Sequence, residues 1–244
     1  MSVLWYLGID DTDNETSIGT GRLARMLAAH LVEAGALSGA PSVTRHQLLV
    51  HPDVPYTSHN SSACIAAHGD AAADAKLLDL ARAFVMANEH EGANPGLCLC
   101  RADAVPGALS GIGRRAQNEV LALADFDAAL ATLPVALWSQ GETGQGRIGA
   151  ASGVGLRRTG EDGRFIELRG IRALRGAMTV GEVLAASDVE DVVDEAGASL
   201  PRETVIETGD WVRPALVGGR AVHRVRCQGD RFVGAERKKK EDDG

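Results

Sequence analysis

Three aspartates fall within four positions near the start of the sequence: Asp10, Asp11 and Asp13, inside the stretch GIDDTDNETSIGTG at residues 8 to 21. Carboxylates gathered this closely repel one another unless a cation or a ring of donors offsets their charge. Hard oxygen donors suit Mg²⁺, which commonly takes one or two carboxylates and completes its shell with phosphate oxygens and water. The competing reading is an ordinary acidic turn, with Asp13 or Asn14 as a local cap. Gly19, Thr20 and Gly21 follow, immediately before a helical pattern. A helix N-terminus presents free N–H groups to anions, and a threonine hydroxyl placed there reaches a metal or a phosphate.

Two further stretches carry chemistry. GETGQGRIGAASGVG, residues 141 to 155, has six glycines among its fifteen residues, with Arg147 embedded in it. Such a backbone lets a triphosphate approach closely, and Arg147 adds a fork of donors. No Gly-Lys-Ser/Thr ends it, so it is not a Walker A loop, and a flexible linker explains it equally well. HPDVPYTSHNSS, residues 51 to 62, offers His51, Tyr56, Thr57, Ser58, His59 and Asn60. It reads as a substrate loop or as a polar strand connection. No Ser-His-Asp spacing or two-histidine metal motif is visible, and His46 and His223 read as satisfied core or surface histidines. Cys64, Cys98, Cys100 and Cys227 form no CxxC pair, so buried reduced thiols are expected rather than structural zinc.

The elements that must position these residues follow from periodicity. VLWYLGID is an apolar strand ending at the aspartates. GRLARMLAAHLVEAG places Leu23, Met26, Leu27, Leu31 and Val32 on one helical face, with Gly35 as the stop. SVTRHQLLVHP and SACIAAHG read as strands. DAKLLDLARAFVMAN is a helix with Leu77, Leu80, Ala81, Phe84 and Val85 on one face, and GLCLCRAD is a fourth strand. The order βαββαβ predicts a ferredoxin-like lobe over residues 1–104.

Residues 105–234 predict a second α+β lobe packed on the first, and 235–244 a charged tail. In the second lobe ALSGIGRRAQNEVLAL and DFDAALATL look helical. VALWSQ and RFIELRGIRAL look like strands, and TVGEVLAASDVEDVVDEAG like an acidic helix or two. PALVGGRAVHRVRC reads as a hairpin turning at Gly218 and Gly219. The fold class is therefore α+β.

The 244 residues carry 33 acidic and 25 basic side chains, a formal net charge of −8. That balance weighs against strong unaided binding of nucleic acid, which needs a basic surface. The dense basic run RKKK, 237 to 240, reads as a solvated tail. The absence of a long apolar run and of a basic leader predicts a cytoplasmic protein with no membrane contact. Apolar strand edges leave a homodimer open.

The motifs also recur in a known order. GIDDTD, a threonine twelve positions after its first glycine, P-x-V-P ending in Asn60, NPG before a strand and G-x-G-x-I-G-A follow one another, through to VIETGDWVRPALVGGRAVHRVR. This series resembles the archaeal tRNA-isoleucine agmatidine synthetase family, over its kinase-like and ferredoxin-like portion. The resemblance implies ATP and Mg²⁺ as cofactors and phosphorylation of a tRNA cytidine, with agmatine then displacing the phosphate. It implies Asp10, Asp11 and Asp13 as metal and ATP ligands and Thr20 as a phosphorylatable threonine. Gly144, Gly146, Arg147 and Gly149 then form the phosphate loop. The family's oligonucleotide-binding fold and Cys-rich zinc ribbon find no counterpart in this sequence, and YTSHN stands where the family has Lys or Arg before the loop's Asn.

The leading expectation is thus a Mg²⁺- and ATP-dependent phosphotransferase or ligase-like enzyme acting on a small polar or nucleoside substrate. Two alternatives stand beside it. One is a nucleotide-binding regulatory or partner subunit without catalysis. The other is tRNA cytidine modification with a separate RNA-holding partner.

Overall fold

The computed structural model describes residues 1–14, 18–54, 60–88, 90–141 and 143–234. The chain divides into two compact units, Met1–Leu168 and Arg169–Gly244.

In the first unit, β1 (Ser2–Asp10), α1 (Thr20–Glu33), β2 (Leu37–Gln47), β3 (Ser61–Asp70), α2 (Asp74–Asn88) and β4 (Gly96–Arg101) give the βαββαβ order read from periodicity. Strand β1 lies between β3 and β4, and β2 lies outside β3, all antiparallel. Alternation along β1 sends Trp5, Leu7 and Ile9 to one face, where they bury against Leu23, Leu27 and Leu31 of α1 and Leu77, Ala81 and Val85 of α2. Met26, placed on that helical face by the pattern, is 40% exposed, so the apolar stripe is narrower than the spacing implies.

The opposite face carries Cys64, Cys98 and Cys100 and is equally apolar, so it too must be covered. Helices α3 (Gly107–Ala116), α4 (Leu123–Leu130) and α5 (Gly146–Thr159) supply that cover. Leu109, Ile112, Phe126, Leu130, Ala150, Ala151 and Val154 bury against the three cysteines. Strand β5 (Ala136–Ser139) pairs with β4, and β6 (Arg164–Glu167) pairs with β2, both antiparallel. Residues 105–168 therefore belong to the first sheet and do not form part of a separate lobe starting at 105. The compact boundary falls at Leu168 because β1, β3 and β4 are apolar on both faces. The helix expected over residues 108–123 is shorter, since α3 stops at Ala116, where Asn118 donates its side-chain amide to the Arg114 carbonyl at 2.7 Å, and the helix expected over DFDAALATL is α4.

The second unit is built from β7 (Ala177–Thr179), α6 (Val180–Ala186), β8 (Asp191–Val193), β9 (Val205–Glu207), β10 (Ala215–Val217), β11 (Arg220–Gln228) and β12 (Arg231–Gly234). Helix α6 starts with a reciprocal capping box between Thr179 and Glu182. The second acidic helix expected after it is instead strand β8, whose Val192 and Val193 pair in parallel with β11. The β10–β11 hairpin turns at Gly218 and Gly219, both at positive φ, as the tight two-residue turn requires. His46 is buried and bonded at both ring nitrogens, to Thr44 and Asp162. Among the described residues neither nitrogen of the buried His223 has a hydrogen-bond partner, and burial lowers its pKa to about 4. Cys64, Cys98 and Cys100 are buried thiols and Cys227 is exposed. Among the described residues no helix is long and apolar enough to cross a membrane.

Candidate functional site

Strand β1 ends at Asp10, whose side chain continues the even-numbered alternation of Tyr6 and Gly8 and points under α5. The helix crosses the strand so closely that a Cβ on Gly8 would overlap the Ala150 carbonyl, and one on Gly149 would overlap the Asp10 carboxyl. A Cβ on Gly146 would overlap the Asn94 carbonyl in the same way. Gly146 and Gly149 therefore lie in the first turn of a helix, where their missing side chains let α5 approach the sheet. Only residues 141–145 of the glycine-rich stretch precede the helix, including Gly144 at φ +64°.

The NPG motif fastens these pieces together. Asn94 donates its backbone N–H to the Asp11 carbonyl at 3.1 Å, and its side-chain oxygen accepts from Thr143 N–H at 3.1 Å. The Pro95 carbonyl accepts from Gln140 N–H at 3.0 Å. Asp11 is the one non-glycine residue at positive φ among those described, at +54°. Aspartate tolerates that conformation better than most residues, and strain of this kind concentrates at functional sites.

The three carboxylates sense each other. Burial, and then the charge of Asp11, pushes Asp10 from 3.8 up to about 8. Burial, and then Asp13, pushes Asp11 up to about 6. Asp13 instead accepts a hydrogen bond from Thr20 Oγ1 at 2.7 Å. Thr20 is the first residue of α1, after Gly19, which stands at φ +79° and offers no side-chain cap. Gly21, the next residue, packs against Ile166. Helices α1 and α5, 14 residues each, thus both begin beside the carboxylates. Their N-terminal dipoles offset part of the negative charge.

Other expected residues are placed differently. Arg147 pairs with Asp127 of α4 at 3.2 Å and donates to the Gly144 carbonyl at 3.3 Å, so its guanidinium is engaged away from the aspartates. The cation acting on Asp10 is Arg45 of β2, which donates to Ser61 Oγ at 2.7 Å. Asn60 donates to the Leu49 carbonyl at 2.6 Å and lines a cleft beside Asp10, whereas Tyr56 and His59 lie outside the described residues. That cleft, partly open to solvent, is lined by Leu48, Val54, Leu121 and Ile148 together with the carboxylates of Asp53 and Glu119, with Gln145 and Gly149 at the helix start.

The donor set decides how a cation would be held. No three His, Cys, Asp or Glu side chains among the described residues converge on one point. Asp10, Asp11 and Asp13 therefore do not form a three-carboxylate cage. Asp10 and Asp11, whose carboxyls are raised by burial first and by the neighbouring carboxylate second, suit an octahedral Mg²⁺ that takes one or two carboxylates and completes its shell with phosphate and water oxygens.

Solved structures share this architecture. The apo form of TiaS, a tRNA-isoleucine agmatidine synthetase, is 21% identical with a TM-score of 0.52, over 62% of this chain and 35% of that one. The complex of TiaS with an isoleucine tRNA and ATP is 22% identical with a TM-score of 0.53, over 63% and 36%. Over that span the fold is the agmatidine synthetase fold. A tRNA fluorescent labeling enzyme matches similarly, at 23% identity and a TM-score of 0.52, over 62% and 36%. The chain spans about a third of the length of these structures. No family model matches the sequence, and no curated protein does. The resemblance read from the motifs is thus met at the level of fold.

Sequence reasoning passes over Arg45, Thr12 and the joining role of Asn94. Asn94 is visible within NPG and Thr12 within GIDDTD. Arg45 carries no local signal, since it comes near Asp10 only through the pairing of β2 with β3 and of β3 with β1.

Proposed function

We propose that this chain is an ATP-using phosphotransferase of the agmatidine synthetase type, acting on a small polar or nucleoside acceptor. The observation that carries the reading is the Thr20 hydroxyl, hydrogen-bonded to Asp13 at the start of α1. It sits within a loop whose other carboxylates, Asp10 and Asp11, are held at raised pKa. Asp10 and Asp11 would hold Mg²⁺, which, when bound, neutralises phosphate charge and orients the transferring group. The first turn of α1 receives phosphate oxygens through backbone N–H groups. Thr20 takes the phosphoryl group, with Asp13 accepting its hydrogen bond. A tRNA cytidine is one acceptor consistent with the fold. In a chain of net charge −8, that acceptor calls for an RNA-holding partner.

The test is ATP turnover and label transfer from γ-labelled ATP with Mg²⁺. Asp10→Ala should lower turnover at least about a hundredfold while the circular dichroism spectrum persists. Unchanged turnover in the folded variant would sink the reading. Stable binding of unhydrolysed ATP by the native chain would favour a nucleotide-sensing subunit.

A further inference from the structure

The acidic loop contains a buried residue that the metal and phosphate contacts leave unused. Thr12 is 1% exposed although it lies between Asp11 and Asp13 in sequence. Its hydroxyl is 3.1 Å from Thr20 Oγ1, and its backbone N–H reaches the same oxygen at 3.4 Å. On its other side Thr20 Oγ1 is 2.7 Å from Asp13 Oδ1. Elementary chemistry fixes the direction of this chain. A carboxylate only accepts, so Thr20 donates to Asp13. A hydroxyl has a single proton, so Thr20 can only accept from Thr12, and Thr12 is the donor.

We infer that Thr12 is a positioning residue that orients the Thr20 hydroxyl for in-line attack on the terminal phosphorus of ATP, an inference that rests on Thr20 being the phosphoryl acceptor proposed above. The tetrahedral Thr20 oxygen has its own Cβ on one side, Asp13 on a second and Thr12 on a third. The fourth direction meets only the long 3.4 Å contact from the Thr12 N–H, the weakest of the three, and this is the side an electrophile takes by displacing it. In the step, the bond from Thr20 Oγ1 to the γ-phosphorus forms and the bond from that phosphorus to the β,γ-bridging oxygen breaks. ADP departs with the electron pair, and the Thr20 proton passes along its existing hydrogen bond to Asp13. Thr12 touches neither ATP nor the phosphorus; it acts through Thr20. Without its hydroxyl, Thr20 regains rotation about χ1 and spends less time aimed along that fourth direction.

The experiment uses the full chain with γ-labelled ATP and Mg²⁺, locates the label by mass spectrometry, and follows its rate against ATP concentration. Rates are normalised to the folded fraction. Thr12→Val, which keeps the shape and removes the donor, should lower the maximal labelling rate of Thr20 about 10- to 100-fold at unchanged half-saturating ATP. Thr12→Ser, which restores the donor, should label within about threefold of the native rate. Should Thr12→Val fail to fold, Thr12→Ala carries the same comparison against Thr12→Ser. Native labelling in the donorless variant overturns the inference and leaves the ATP reading intact. A native chain that binds ATP without labelling Thr20 also overturns it. A native chain that does not bind ATP removes the underlying reading as well.

Discussion

Burial and the charge of Asp11 act on Asp10 in the same direction, so its carboxyl titrates at about 8 instead of 3.8. Below pH 3.8 both the folded and unfolded chains hold this proton. As the pH climbs from about 4 towards 8, the unfolded chain releases it first, so the stability present in acid is progressively lost. Asp11, raised to about 6, adds to the loss over the lower part of that window. Asp10→Asn, neutral throughout, should therefore flatten the melting temperature against pH in EDTA. At about pH 8 it should melt several degrees above the native chain, a difference on the order of a few kcal/mol. Native protein should gain stability from Mg²⁺ with ATP, and the variant should gain far less. Parallel pH curves for the two proteins would refute the account. The cluster itself was legible because carboxylates rarely gather without a charge to meet. The partner of Arg147 was not, since Asp127 lies on a different helix, 20 residues away in sequence.

At the scale of elements, α5 decides the geometry of the site by how deeply it settles on β1, and glycines at both surfaces set that depth. Gly8→Ala would drive a methyl group into the Ala150 carbonyl, so the helix must lift. The expected cost is about 2–3 kcal/mol in urea denaturation, with weakened ATP binding because Gly149 moves off Asp10. Gly111, in the middle of α3, meets nothing within 4 Å at its Cβ position. Gly111→Ala should therefore stabilise by about 0.5–1 kcal/mol without affecting ATP binding. Equal effects from the two substitutions would contradict the close-approach argument. The βαββαβ order was readable because helical and strand periods alternate cleanly through residues 1–104. The glycine run was harder to read because a phosphate loop and a close helix–sheet contact ask for the same residue. What separates them is whether other atoms of the protein fill the missing side-chain volume, as the Asn94 and Gly96 backbone does at Gly146 and the Leu109 carbonyl at Gly155.

For the whole molecule, charge and site are concentrated in the same unit. Met1–Leu168 holds 12 basic and 19 acidic residues, and Arg169–Gly244 holds 13 and 14, so nearly all of the net charge of −8 lies in the first. A triphosphate entering a unit of that sign needs compensating positive charge close at hand, because repulsion from exposed acids is screened only beyond about 8 Å at physiological salt. The site residues Asp10, Asp11, Asp13, Thr20, Asn94 and Gly149 all lie within Met1–Leu168, which has its own two-faced core. A chain ending at Leu168 should therefore fold and bind ATP with Mg²⁺ within about threefold of the full chain's Kd, and EDTA should abolish binding to both. Isothermal titration of the two proteins measures this directly. Binding weakened more than about tenfold in a well-folded fragment would show that Arg169–Gly244 contributes to nucleotide affinity. Binding unaffected by EDTA would mean that the helix N-termini and Arg45 neutralise the triphosphate without a cation, and Asp10 and Asp11 would then need another purpose.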